Sequence, residues 1–357
     1  MEAFVQQRLD TGKGTSTMKT KVTTDYHVAV KRVGGTTPLS QENLRQYIRA
    51  ALAHQLDDND HLIAGDLFSD FTVDTYELVE TYKIFSTWLA SYGRRLALVR
   101  GNHDFSIRGM AISSFDLLST ILTEQFPQQV TIASSVTYWK QFVLVPHLPN
   151  NDILTAELSN LSSVTGKVVV LHANVNNFFA AETQHSLNVT IEQVEDLVSR
   201  NNLVIFGHEH QYRSLVNGRC LVLGNTVPSS IADVLGSPFK YSATVTGTDY
   251  ELKTTWKAED AYVEADWRAL DGVKAQFIRV TGEATSAEAA EVIKAISTLR
   301  QTSDAFVITN AVKVSGHDMS GEMAVESVEN LRAFDVVGAI MSELTEQEQV
   351  IVKGLLA

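Results

Sequence analysis

The chain has 357 residues, which suggests two or three globular units, and its 44% apolar and 20% charged residues are those of a folded protein rather than a disordered one. No apolar run approaches the roughly 20 residues a membrane helix needs, and the start, MEAFVQQRLDTGKG, lacks the basic-then-apolar order of a secretory signal. A single cysteine, Cys220, excludes an internal disulfide framework and a zinc site built on thiolates, and a net charge of −13 argues against general affinity for nucleic acid. The chain therefore reads as a soluble protein of a reducing, cytoplasmic compartment.

In chain order, Met18 to Thr24 is extended but more polar than a central strand should be. Leu44, Ile48 and Leu52 then recur at helical spacing. Leu78, Tyr82, Phe85 and Leu89 do the same over about 76–92, with Gly93 as a stop. A further apolar helical pattern at about 112–125 carries Phe115, Leu118, Ile121 and Leu122. Thr190 with Gln193 forms a capping box opening a helix with Ile191, Val194, Leu197 and Val198. Between these lie four short apolar runs: His61–Ala64, Leu96–Val99, Val168–Leu171 and Leu203–Phe206. Each is too short for a buried helix and rich in Val, Ile and Leu, as strands covered on both faces are. Strands and helices alternating in this way predict an α/β core.

Downstream the pattern changes. Residues 242–256 predict an antiparallel hairpin, with Val245, Tyr250, Leu252 and Trp256 alternating about Gly247-Thr-Asp249. Strand-like segments at 276–281 and 305–314 flank a helix at about 286–300 headed by a Thr285–Glu288 capping box, a small separable β-α-β unit. Two amphipathic helices follow at about 323–343 and 346–356, the second opened by Thr345–Glu348. The first carries Val325, Val328, Phe334, Val337 and Met341, a stripe that two helices cannot bury alone, so it packs on the main body or on a partner helix.

Each of the four apolar runs ends on a potential metal ligand. Asp66 follows in GDLFSD, Asn102 and His103 in GNHD, His172 in LHAN, and His208 and His210 in GHEH. Groups at the carboxyl ends of adjacent strands converge in one crevice. Gly65, Gly101 and Gly207 let the backbone turn sharply and approach an ion. A single histidine after a strand is commonly structural; four such ends in succession are not explained by core packing. Upstream, Asp25-Tyr-His27 places an acid and an imidazole two apart, on one side of an extended segment, as a chelating pair or as an ordinary surface Asp-x-His.

D-x-H, GD, GNH[DE], a lone His after a strand, and GHxH, in that order over about 18–226, resemble the binuclear metallophosphoesterases. The resemblance implies a calcineurin-like β-sandwich flanked by helices. The β-α-β unit, FIRVTGEATSAEAAEVIKAISTLRQTSDAFVITNAVKV, and the tail ending LTEQEQVIVKGLLA resemble one branch, the SbcD-type nuclease subunit of double-strand-break repair complexes, including bacteriophage forms. By that resemblance the chain divides into an N-terminal extension at 1–17, a nuclease domain at 18–270, a small α+β capping domain at 271–318 and C-terminal helices at 319–357 for partner ATPase binding. It gives Asp25, His27, Asp66 and His210 to one ion and Asp66, Asn102, His172 and His208 to another, with Asp66 bridging. Two divalent ions clamp a phosphodiester and activate a water between them. Carboxylate, amide and imidazole donors without thiolate suit manganese, with magnesium also accepted.

In the family, the residue matching His103 protonates the leaving oxygen, and Asp104 beside it is placed to fix its tautomer. Some relatives carry a His three residues after the bridging Asp; here Ser69 stands there, followed by Asp70. Lys31, Arg32, Arg100, Arg108 and Arg213 lie near the motifs, either facing DNA or as a solvated rim. The resemblance implies three partners: DNA, an SbcC-type ATPase with a coiled coil, and a second copy through helices at about 76–92 and 112–125. The expected activity is a metal-dependent DNA nuclease, an exonuclease on duplex ends with single-strand endonuclease action as a second expected mode. A binuclear phosphodiesterase acting on nucleotides or other small phosphoesters is the first rival. The protein phosphatases of this fold carry Asp-Arg-Gly after GD, which GDLFSD lacks, and a non-catalytic scaffold would show gaps among the ligands, of which there are none.

Overall fold

The computed structural model describes residues 19–31, 36–105, 111–177 and 186–315. The N-terminal extension, the two closing helices, Arg32 and Arg108 lie outside the described residues. Strands and helices alternate first: β1 (Thr20–Thr23), α1 (Pro38–Gln55), β2 (Asp60–Ile63), α2 (Thr75–Tyr92), β3 (Leu96–Val99), α3 (Ser114–Gln125) and β4 (Val130–Ala133). Then come β5 (Thr137–Trp139), β6 (Phe142–Val145), α4 (Asn151–Asn160), β7 (Val168–His172), β8 (Asn174–Val175), β9 (Asn188–Val189), α5 (Ile191–Ser199) and β10 (Leu203–Gly207). The main body closes with β11 (Arg213–Leu215), β12 (Cys220–Val222), α6 (Ile231–Gly236), β13 (Phe239–Thr246) and β14 (Asp249–Lys257). Last are β15 (Tyr262–Asp266), β16 (Phe277–Thr281), β17 (Glu283–Thr285), α7 (Ala289–Thr302), β18 (Val307–Asn310) and β19 (Lys313–Ser315).

Two six-stranded sheets result, ordered β14-β13-β1-β2-β3-β4 and β11-β12-β10-β7-β6-β5. Side chains alternate across each strand, so one face of each sheet meets the other sheet and the opposite face takes helices. Val22, Leu62, Val99, Leu144, Val168, Val170, Ile205 and Leu221 form the core between the sheets. Their neighbours turn outward. Ile63, Leu96 and Leu98 meet Leu44, Ile48 and Leu52 of α1, Phe85 of α2 and Phe115 of α3. Val169, Leu171 and Phe206 meet Leu154 of α4 and Val194 of α5. The four layers are those of a calcineurin-like α/β sandwich, and both faces of the predicted apolar runs are covered.

The polar first strand is fully buried at the centre of the first sheet, between β13 and β2. Its polar groups are matched rather than exposed. Lys21 Nζ donates to the Gln55 carbonyl at 3.0 Å and pairs with Asp57, and Thr23 Oγ1 bonds His61 Nε2 at 2.8 Å. A central strand can therefore be polar where the next turn of chain supplies the partners.

A third sheet, β15-β16-β18, packs on α7 through Ile278, Val280, Val292 and Ile296. It takes in Tyr262–Asp266, parallel to β16, ahead of residue 271 where the sequence begins the cap. Phe277 and Val307 join the core of the main body, and the Phe306 ring lies 5.0 Å from Tyr47 of α1. The small unit is thus seated against the first sheet's helices. Among the described residues, no helix is long and apolar enough to cross a membrane.

Candidate metal centre

The turns after β1, β2, β3, β7 and β10 meet at one edge of the sandwich. The segment after β1 runs beside that after β2: the Asp25 amide donates to Gly65 O at 3.1 Å, His27 to Asp66 O at 3.1 Å and Val28 to Leu67 O at 2.9 Å. Asp25 and His27 do point into one site, but not from an extended segment. Both have left-handed backbone, at φ 52° and 50°, and Tyr26 between them is buried. Asp66 at φ 48° and His208 at φ 92° share that conformation. Non-glycine residues held there cost about 1–3 kcal/mol each, and such residues cluster where side chains must be aimed.

The glycines have a second reason. A Cβ on Gly101 would overlap Asp66 Oδ1 and the Asp66 amide nitrogen, and one on Gly207 would overlap the Ala64 carbonyl and Thr24 Oγ1. Neither position has room for any side chain. The GNHD and GHEH turns press directly against the GD turn.

Among the described residues three groups of ligand atoms result, each with all its atoms within 4.8 Å of one another: Asp25, His27 and His210; His27, Asp66 and His103; Asp66, His172 and His208. Asp66 belongs to two of them. Its Oδ1 lies 3.3 Å from His172 Nε2 and its Oδ2 lies 3.8 Å from His27 Nε2, so the two oxygens of one carboxylate face opposite halves of the site. Asn102 Oδ1 completes the second half, 2.9 Å from His172 Nε2 and 2.8 Å from His208 Nδ1. In the first half, His27 Nε2 and His210 Nε2 face each other at 3.0 Å. All seven residues expected as ligands are thereby brought together, with Asp25, Asp66 and His172 fully enclosed.

Hydrogen bonds behind these groups fix which nitrogen faces inward. A carbonyl only accepts, so His172 Nδ1 donates to Ala64 O at 2.9 Å and its Nε2 is turned to the site. His210 Nδ1 donates to Asp233 Oδ1 at 2.8 Å with the same result. Burial drives His27 and His208 down to about 3, so both are neutral, the form that ligates. Burial also opposes a charge on His172, but the Asp66 carboxylate overrides it and carries the imidazole up to about 9. The same pairing holds Asp66 well below the usual carboxylate range against its own burial. Burial, with Asp66 beside it, raises Asp25. Two enclosed carboxylates and inward-facing imidazole nitrogens, with no thiolate, fit divalent cations of the borderline-to-hard class.

His103 is exposed on the open side of the site, its ring centroid 4.9 Å from that of His27. Its amide donates to Asp66 Oδ1 at 3.0 Å and its Nδ1 donates to the Ser69 carbonyl at 2.8 Å. Ser69, not Asp104, therefore sets the His103 tautomer. Asp104 is enclosed and accepts from the amides of Gly101 at 3.0 Å, Phe68 at 3.1 Å and Leu67 at 3.3 Å, tying the GNHD turn to the GD turn. Burial, reinforced by Asp66, pushes its carboxyl up to about 7.

Asp233 is a residue the sequence does not announce; it sits 23 positions beyond its partner, in a short helix with no motif. Its other oxygen accepts from the Ser229 amide and hydroxyl at 2.9 and 3.0 Å, and His210 holds it well below the usual range despite burial. Lys240, fully buried, donates to the His210 carbonyl at 3.0 Å. Asp233→Asn is expected to weaken divalent-metal affinity about 10- to 100-fold while the fold persists, read by manganese titration alongside thermal melting. Unchanged affinity would remove Asp233 from the centre. Of the basic residues near the motifs, Arg213 is bound to Glu209 at 2.6 Å and to Val175 O at 3.0 Å, while Arg100 stacks on Phe105 and donates to Ser134 O. Lys31 is exposed.

The calcineurin-like phosphoesterase family matches residues 18–212, more than half of the chain and the whole run of motifs from β1 to GHEH. The chain belongs to the calcineurin-like phosphoesterases. No curated protein matches it. Among solved structures, TT1561 of Thermus thermophilus resembles it at 11% identity and a TM-score of 0.38, covering 67% of this chain and 99% of that one. Family and centre together give a metal-dependent phosphoester hydrolase.

Proposed function

We propose that this phosphoesterase is an SbcD-type DNA nuclease, acting at duplex ends with an SbcC-type ATPase partner. The observation that carries the reading is the additional unit, β15 to β18 with α7, seated against the phosphoesterase body through Phe277, Phe306 and Val307. A small-substrate enzyme does not need a separate cap, whereas a long polymer gains from a second surface beside the cleft. One ion would be held by Asp25, His27, Asp66 and His210, and a second by Asp66, Asn102, His172 and His208; manganese suits that donor set. When bound, such ions supply positive charge for the phosphoryl group and lower the pKa of water.

The chain's own contribution is positional. Asp66 divides its two oxygens between the halves, and Asn102 braces His172 and His208. His103, with Nδ1–H committed to Ser69 O, is left with Nε2 as the ring atom through which a proton would pass to a leaving oxygen. A homodimer is part of the proposal: α2 and α3 leave Tyr76, Val79, Leu117 and Ile121 exposed, an apolar surface suited to a second copy.

One observation favours the rival substrate class, nucleotides or other small phosphoesters. The groove between α7 and the 267–276 loop has Asp260, Asp271, Glu288, Glu291 and Asp304 against Arg268, Lys274 and Lys294, an acidic balance unsuited to DNA. Manganese-dependent digestion of end-labelled linear duplex DNA, comparing the wild type with His103→Gln, separates these readings. The nuclease reading expects degradation by the wild type and a loss of about 10²- to 10⁴-fold in the variant. Hydrolysis of a generic phosphodiester without any cutting of DNA would give the site to the rival.

A further inference from the structure

One histidine at the same sheet edge is used by nothing described so far. His147 stands two residues beyond the end of β6, the strand that pairs with β7 and its terminal His172. Its amide donates to the Arg100 carbonyl at 2.8 Å, which fastens this turn to the residue just ahead of Gly101-Asn-His103. The ring lies edge-on to Phe105, centroid to centroid 5.8 Å. The residue is 5% exposed; among the described residues its ring nitrogens have no hydrogen-bond partner, and neither is sealed from solvent. The second half of the site lies close by, since β6 runs parallel to β7 with Val145 opposite Leu171, the residue before His172. Burial lowers the imidazole to about 3, leaving one N–H donor and one acceptor.

Ring nitrogens that no protein group engages, beside the GNHD turn and the end of β7, are open to a ligand. Among the described residues, His147 stands outside all three close ligand groups. We propose that His147 is a substrate-contacting residue, donating its ring N–H to a non-bridging oxygen of the phosphoester on the Asn102, His172 and His208 side. Its neutral donor adds no charge and so discriminates by position. The proposal rests on phosphoester chemistry at this centre and is independent of whether the substrate is DNA.

Inorganic phosphate is the probe, with binding to the manganese-loaded full chain measured by calorimetry for the wild type, His147→Phe and His147→Gln. Phenylalanine keeps the ring packing on Phe105 and removes both polar atoms, whereas glutamine restores an N–H donor. The expected result is phosphate affinity roughly ten- to hundredfold weaker in His147→Phe and partly recovered in His147→Gln, with manganese stoichiometry and melting temperature unchanged. Equal phosphate affinity in wild type and His147→Phe overturns the contact, as does a loss that tracks lost manganese. Hydrolysis of bis(p-nitrophenyl) phosphate is followed in parallel. A wild type that binds phosphate through His147 but never hydrolyses the diester keeps this contact and sinks the phosphoesterase reading instead.

Discussion

Asp66→Asn is expected to lower phosphodiester hydrolysis by on the order of 10³-fold, the scale on which removal of one preorganised electrostatic group is felt. Among the described residues, Asp66 alone shares a close ligand group with both His27 and His172. Its Oδ1 faces His172 and its Oδ2 faces His27, so the amide replaces one of two anionic oxygens with a donor that repels a cation. The substitution also withdraws the charge that carries His172 up to about 9, leaving that enclosed imidazole with burial as its dominant influence. The variant is isosteric, and the amide of His103 can still bond the remaining side-chain oxygen. Its fold should therefore survive while manganese binding fails in both halves. Calorimetric titration with manganese, beside the rate assay, distinguishes this from simple unfolding. A variant that keeps one ion at wild-type affinity would show that Asp66 belongs to one half only.

Gly101→Ala is the second large effect, and it acts through space rather than charge. The added Cβ would overlap the Asp66 carboxylate and the Asp66 amide nitrogen, and backbone cannot swing aside as a flexible side chain would. Overpacking of this kind costs about 1–3 kcal/mol. Here the displaced atoms are those that aim Asp66 and receive the His103 amide, so metal affinity should fall with stability. Gly93→Ala is the control. That glycine has φ 61° and open space around it, so alanine loses only the left-handed preference, about 1–2 kcal/mol, and the metal site is untouched. Denaturant melts and manganese titrations of the two variants should separate them. Gly101→Ala binding manganese like the wild type would contradict the packing argument.

The convergence of the seven candidate ligands was legible because each stands at or just beyond a strand end and because glycine marks the tight turns beside three of those ends. The reason for those glycines is stronger than a turn, since Gly101 and Gly207 touch neighbouring backbone. The conformation of Asp25-Tyr-His27 was not legible. Two residues apart on one side suggests an extended segment, whereas left-handed backbone at both positions achieves the same aim. The role of Asp104 was misread for a related reason: adjacency to His103 suggests a hydrogen bond, but its carboxylate turns inward to three backbone amides. Asp233 and Lys240 carry no local signal at all, because their partner in the GHEH turn is contributed by a distant piece of chain.

His147 is different, for its signal is present. Phe142-Val-Leu-Val145 is a short apolar run like the other four, and it ends in Pro146-His147. The strands ahead of that segment, β4 and β5, are short, lie at sheet edges and are partly exposed. The first strand shows the converse, where a polar sequence is central because Gln55, Asp57 and His61 satisfy it.

The most direct test is the number of ions the chain holds. Purified protein freed of metal and titrated with manganese should bind two ions per chain, and Asp25→Ala, which removes a candidate ligand of the first half, should bind one. Two ions reduced to one in that variant, with hydrolysis lost as well, is the outcome a binuclear phosphoesterase centre requires. A wild type that saturates at a single ion, or an Asp25→Ala variant that still binds two, would contradict it.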